Sequence, residues 1–179
     1  GIMLNLSLPK SHKVLQITIT LIICFFCGPK TFAAHANMAM NINSLEAPID
    51  FIPEALGDYR WEISTQSVDA QNYFTQGMQL RWAYNMPESA RSMAQARRID
   101  PSCAMCFWGE AFALGSFLNG GTSKEKAARA HIAINQALTL SETKASPIER
   151  ALIQAAQIRY PNDYDPNNRR LVDQAFADE

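Results

Sequence analysis

The residue types with the clearest chemical potential are two cysteines in a C-x-x-C pattern, Cys103 and Cys106. We expect Ser102 to cap a helix, which places Cys103 in its first turn and Cys106 one turn later on the same side. The amide groups and the dipole at a helix start favour the thiolate form of cysteine, which is why redox pairs occupy such positions. In an oxidising compartment the two thiols could also form a local disulfide.

Three chemical roles for this pair compete with a structural one. Covalent haem attachment requires histidine after the second cysteine, where Phe107 stands instead. A metal site would need further ligands, for which His131 and the thioethers of Met86 and Met105 are the candidates, and such donors suit copper. Dithiol redox catalysis lacks the strand-rich thioredoxin-like context. We therefore favour a structural pair, reduced or disulfide-bonded, and we expect no bound cofactor.

The remaining sequence contains no pattern that demands an enzyme. It has no nucleophile elbow, no phosphate-binding loop and no H-E-x-x-H motif, and no Asp, Glu or Ser pattern converges on His131. We interpret Trp108, Phe112 and Phe117 as core aromatics, and the Arg169-Arg170 pair as part of a solvated helix face. The net charge of −1 makes binding to nucleic acid improbable, because such binding depends on basic charge.

Residues 1–36 have the order of an export signal. Basic Lys10 and Lys13 precede an apolar run over 14–28, and Ala34-His35-Ala36 supplies the small residues of a cleavage site. The apolar run is shorter than the roughly 20 residues of a membrane-spanning helix. We therefore expect a periplasmic or secreted protein that touches the membrane only if the signal stays uncleaved.

The rest of the chain divides into an extended lead-in, 37–66, and a helical region, 67–179. Apolar residues recur there at spacings of three and four, which predicts an all-α fold of six helices. We expect the third helix to extend to Leu118, and the sixth looks cut short at Glu179. The predicted helix starts are Ser67, Asn85 with Pro87, Ser102, a Thr122–Glu125 capping box, a Ser146–Glu149 capping box, and Asp165-Pro166.

A 34-residue unit spans 70–103 and resembles the tetratricopeptide repeat (TPR). Its matching positions are Tyr73, Gly77, Leu80, Ser89, Ala96 and Pro101, and looser second and third units follow. The run D-P-S-C-A-M-C-F-W-G over 100–109 is similar to that of a subgroup of exported bacterial TPR proteins. Members of that subgroup often carry histidine where this chain has Met86, which weakens a metal role for that position.

The resemblance implies an α-solenoid whose concave face binds a protein or peptide partner. The residues that we expect on that face are Tyr73, Gln76, Leu80, Asn85, Phe107 and Glu110. The alternative hypothesis is a periplasmic redox or metal-binding module that uses Cys103 and Cys106.

Overall fold

The structure is a computed structural model that describes residues 41–117 and 120–178. This part of the chain contains no β-strand, so the prediction of an all-α fold is confirmed for it. The predicted export signal, 1–36, lies outside the described residues. The helices are α1 (Val68–Trp82), α2 (Met86–Ile99), α3 (Ala104–Leu114), α4 (Lys124–Lys144), α5 (Pro147–Arg159) and α6 (Arg169–Asp178), with 3-10 turns at Ile42–Ser44, Pro53–Ala55 and Pro166–Asn168.

Within the described ranges, none of the helices combines the length and the apolar character that crossing a membrane requires.

Three predicted helix starts are confirmed by their hydrogen bonds. The Ser67 side chain accepts the N–H of Ala70 at the start of α1. Asn85 caps α2 in the same way. At the start of α5, Ser146 and Glu149 form a complete capping box, in which each side chain accepts the backbone N–H of the other.

The predicted start of α3 was wrong by one residue. Cys103, and not Ser102, is the N-cap: its sulfur accepts the N–H of Cys106 at 3.0 Å. The reason is Asp100, whose carboxylate accepts both the N–H and the hydroxyl of Ser102, at 3.0 and 2.7 Å. Ser102 is therefore committed to the turn before the helix and is not free to cap it.

The predicted capping box at Thr122 was also wrong by one residue. Ser123 caps α4 by accepting the N–H of Lys126. The Thr122 hydroxyl instead donates to the carbonyl oxygen of Leu114 at 2.7 Å, across the α3–α4 connection.

The α3 helix also ends earlier than the sequence predicted. The helix ends at Leu114, with Gly115 as its C-cap, and does not extend toward Leu118, which lies outside the described residues. A Cβ at Gly115 would lie 2.2 Å from the hydroxyl oxygen of Tyr160, so the chain turns here against α5. The last helix likewise starts later than predicted, because Asp165 caps a 3-10 turn before α6.

Each helix packs against its neighbours in the sequence, from α1 against α2 through to α5 against α6. Two further contacts, α1 with α3 and α3 with α5, join alternate helices. Small side chains fill the crossings, since Ala90, Ala96, Ala104, Ala111 and Ala130 are completely buried. Close helix approach requires such residues, because a large side chain would hold the two backbones apart.

A close crossing surrounds Met93 on α2. A Cβ at Gly77 of α1 would lie 2.8 Å from the Met93 methyl carbon, and one at Gly109 of α3 would lie 2.5 Å from its sulfur. Met93 is completely buried, so its side chain occupies a notch that the two glycines leave open. Protein interiors are close-packed, so a side chain added at either glycine would have to displace Met93.

We predict that Gly77→Leu lowers the free energy of unfolding by about 1–3 kcal/mol, because the new side chain overpacks this notch. Urea unfolding followed by circular dichroism measures the change. Gly121→Leu is the control, since a Cβ at Gly121 has no atom within 4 Å. Equal unfolding midpoints for the two variants would contradict this account of the α1–α2 crossing.

Candidate binding surface at the ends of α1 and α3

The face of α1 that the sequence assigned to a partner contacts the protein's own lead-in segment. The Tyr73 hydroxyl donates to the carbonyl oxygen of Ile49 at 3.0 Å. The Gln76 amide donates to the carbonyl oxygen of Asp50 at 2.9 Å and accepts the N–H of Ile52 at 2.8 Å. These bonds join side chains of α1 to main-chain atoms, so they hold the backbone of the lead-in along the helix.

Two further glutamines of α1 extend this pattern. Gln71 accepts the N–H of Ile63 at 2.9 Å and donates to the carbonyl oxygen of Trp61 at 2.8 Å. Gln79 donates to the carbonyl oxygens of Gly57 and Tyr59 at 2.9 and 2.8 Å. The described lead-in is thus part of the folded unit, which the scattered apolar residues of this segment did not indicate.

The six residues predicted for the binding face differ in their surroundings. Gln76, Leu80 and Glu110 are buried, Asn85 caps α2, and Phe107 is half-buried against the core. Helical spacing identified a shared stripe, but it does not tell a stripe that meets solvent from one that meets other parts of the same chain.

Glu110 belongs to a network of ion pairs that joins three helices and the lead-in. Its carboxylate is completely buried; it accepts a hydrogen bond from Arg97 of α2 and another, at 2.6 Å, from Arg129 of α4. Both arginines also bind Glu46. Desolvation alone would raise the pKa of Glu46, but the hydrogen bond from Arg98 and the neighbouring guanidinium charges outweigh it and lower that pKa. Glu110 is therefore a structural anchor.

The two cysteines form a disulfide, with their Cα atoms 5.3 Å apart. Both side chains are buried, so neither sulfur meets a surface from which a partner thiol could attack. His131 is also occupied: its Nδ1 lies 2.8 Å from the carbonyl oxygen of Tyr160, and its Nε2 lies 2.9 Å from the amide of Asn135. In residues 41–117 and 120–178, no three metal-binding side chains cluster.

A cleft of about 760 Å³ lies where the lead-in meets the starts of α1 and α5. Its acidic neighbours already have partners. The Thr65 hydroxyl donates to Asp100 at 2.5 Å, and the Ser64 N–H and hydroxyl donate to Glu149 at 2.7 and 2.5 Å. This cleft is therefore a junction between segments in which the acidic side chains already have hydrogen-bond partners.

A different arrangement surrounds Arg81, near the end of α1. The side chain is buried, and its guanidinium donates to the carbonyl oxygens of Ala113 and Ser116, each at 3.2 Å, at the end of α3. The same group lies over the rings of Phe112 and Phe117, 4.1 and 5.1 Å from their centroids. Desolvation lowers the pKa of Arg81 to about 10, so the group stays charged at neutral pH.

Two exposed aromatic side chains make edge contacts with these rings. Trp82 is 54 % exposed and contacts Phe112, with ring centroids 6.4 Å apart. Tyr84 is 51 % exposed and meets the edge of Phe117 at 4.9 Å. Tyr84 also has a φ of +63°, a left-handed conformation that is uncommon for a residue with a large side chain.

Two arginines from the end of the described chain complete the wall of a cavity of about 430 Å³. Arg159 of α5 and Arg169 of α6 share the carboxylate of Asp173, at 3.5 and 3.0 Å. We call this region the aromatic–arginine surface; its members are Arg81, Trp82, Tyr84, Phe112, Phe117, Arg159 and Arg169.

Sequence reasoning missed this surface. It interpreted Phe112 and Phe117 as core aromatics and Arg169 as a solvated residue, and it gave Arg81 no role. The adjacent Arg81-Trp82 pair was the one local signal, since arginine and tryptophan are both enriched at binding sites. The surface depends on contacts among α1, α3, α5 and α6, which no local pattern encodes.

Comparison of the chain with protein-family models, with curated proteins and with solved structures finds no match. The resemblance to TPR proteins therefore remains a prediction from the residues.

We predict that the double variant Cys103→Ser, Cys106→Ser folds and loses at most about 2 kcal/mol of unfolding free energy. The disulfide closes a very short loop, so it removes little entropy from the unfolded chain. Serine is also a good N-cap and can replace the sulfur that accepts the Cys106 N–H. Thermal unfolding monitored by circular dichroism checks this; an unfolded double variant would show that the bond holds more than the start of α3.

Proposed function

We propose that this chain is a non-enzymatic binding scaffold that recognises a polypeptide partner through the aromatic–arginine surface. One observation carries the proposal: Trp82 and Tyr84 each expose about half of their surface, and both rest on further rings beside a buried arginine. Tryptophan, tyrosine and arginine dominate the binding energy of protein interfaces. Exposed rings that are held in place by packing lose little entropy when a partner binds.

The packing of the helices supports the TPR-like part of the proposal. Successive helices pack in chain order, and alternate helices touch, as expected for stacked helix pairs. The small residues of the 34-residue unit occupy a close crossing, where the Ser89 hydroxyl donates to the carbonyl oxygen of Gly77 at 2.7 Å. We therefore retain a TPR-like solenoid as the proposed architecture.

The position of the proposed site differs from the face that the resemblance implies. The lead-in forms hydrogen bonds with Gln71, Gln76 and Gln79 of α1. The two exposed rings come later in the chain, at Trp82, the last residue of α1, and at Tyr84, just after it. A partner can reach the latter pair without displacing any described segment. Export remains part of the proposal, and the disulfide is compatible with it, because disulfides persist in oxidising compartments.

The alternative, a redox or metal-binding module at Cys103 and Cys106, has less support. Metal ligation and disulfide exchange both require an accessible thiolate. The described pair is bonded, and its sulfurs are buried among residues of the core.

Site-specific photo-crosslinking in the exporting cell tests the proposed site. We expect a photoreactive residue at Ala83, which is exposed between the two rings, to capture a discrete polypeptide. Adding Tyr84→Ala to that variant should reduce the capture about tenfold or more. The matched control carries the photoreactive residue at Ile132, which is 64 % exposed on α4. The same adducts from positions 83 and 132 would contradict a localised site.

A further inference from the structure

The charges around the 430 Å³ cavity are unbalanced. Arg81, Arg159 and Arg169 supply three guanidinium groups, and Asp173 is their carboxylate partner among the described residues. Arg81 forms no ion pair there and rests on carbonyl oxygens and ring faces. Burying a charged group without a counter-ion is unfavourable, so an anion that binds near such a cation lowers this cost.

Arg81 also retains one hydrogen-bond donor, its Nε–H, without a partner among the described residues, although that atom is itself buried. Arg159 contacts Asp173 only at 3.5 Å and places its guanidinium over the ring of Phe176, 5.1 Å from the centroid. Desolvation is the main cause that lowers the pKa of Arg81; the phenol of Tyr160 acts in the opposite direction, and the charge of Arg159 lowers the pKa again. The two cations therefore repel each other across the cavity, and an anion between them would relieve that repulsion.

The walls indicate what else the anion carries. The rings of Trp82, Phe112 and Phe117 line the cavity together with the arginines. A fully hydrated inorganic ion gains nothing from such rings, whereas an apolar group that enters with the anion buries surface against them. Guanidinium groups present parallel N–H donors that match the two oxygens of a carboxylate.

We propose that this cavity binds the side-chain carboxylate of an aspartate or glutamate that is flanked by an aromatic residue in the partner polypeptide. The inference rests on the proposed function, because it names the chemistry that the aromatic–arginine surface recognises. In the complex, Arg159 donates to the carboxylate, Arg81 supplies charge from the floor, and the flanking ring packs against Trp82.

A titration with two matched peptides tests the proposal on the intact protein. The probe is acetyl-Ala-Phe-Glu-Ala-amide, and its neutral counterpart has Gln in place of Glu; both lack a terminal carboxylate. Binding is followed by tryptophan fluorescence, and the Trp82→Phe variant identifies the signal of Trp82. We expect the Glu peptide to bind at least about tenfold more tightly, because one charged partner separates the two peptides.

Arginine variants locate the binding. Arg159→Gln should bring the affinity for the Glu peptide down to that for the Gln peptide. Arg170→Gln removes the same charge from an exposed neighbour that does not line the cavity, and it should leave the affinity unchanged. Circular dichroism confirms that each variant is folded; should Arg159→Gln fail to fold, Arg169→Gln replaces it, with the same expected loss of preference for Glu.

Each outcome decides the proposal. Equal affinity for the two peptides, or an equal loss in the Arg159 and Arg170 variants, overturns it. Displacement of the Glu peptide by inorganic phosphate at equal concentration overturns the carboxylate assignment in favour of a general oxyanion site. A preference for Glu without any partner crosslink from position 83 would support this ligand chemistry and reject the proposed function, whereas crosslinking without a preference for Glu would do the reverse.

Discussion

The arrangement of the whole unit depends on one close crossing, in which Met93 of α2 fills the notch between Gly77 of α1 and Gly109 of α3. Without side chains at these glycines, α1 and α3 approach the same methionine from two sides. Arg81 follows Gly77 by four residues and Phe112 follows Gly109 by three, so each lies one helical turn further on the same face. The crossing therefore sets the distance at which the Arg81 guanidinium meets the Phe112 ring, 4.1 Å.

That contact gives Arg81 a structural role, and our proposal adds a role in binding. Its guanidinium satisfies carbonyl groups at the end of α3, where the negative end of the helix dipole favours a cation. The same burial removes water that would otherwise screen its charge, and charge interactions are stronger where water is excluded. The exposed rings of Trp82 and Tyr84 then supply apolar contact at the rim of the cavity beside Arg81. The Arg81 side chain thus packs on the aromatic rings and caps the end of α3, and in our proposal it also contributes to ligand binding.

The local features of the fold were predictable because they depend on neighbouring residues. Helix starts at Ser67, Asn85 and Ser146 follow from side chains that reach their own backbone. The cap of α3 was missed because Asp100 competes for Ser102, and two overlapping turn signals cannot be ranked from sequence alone. The covering of the predicted face by the lead-in was missed for a longer-range reason. Helical periodicity identifies Gln76 as part of a stripe, but not that the lead-in, 24 to 26 residues earlier in the chain, covers it.

The central claim is that Arg81 and Arg159 act together on one acidic ligand group. An NMR titration that follows the Nε–H signals of the arginine side chains measures this directly. On addition of an acidic aromatic peptide, the account predicts that the signals of Arg81 and Arg159 shift with one common dissociation constant. The signal of Arg129, which is committed to Glu110 and Glu46, should not move. Unchanged Arg81 and Arg159 signals at saturating peptide, or equal shifts at Arg129, would contradict the account.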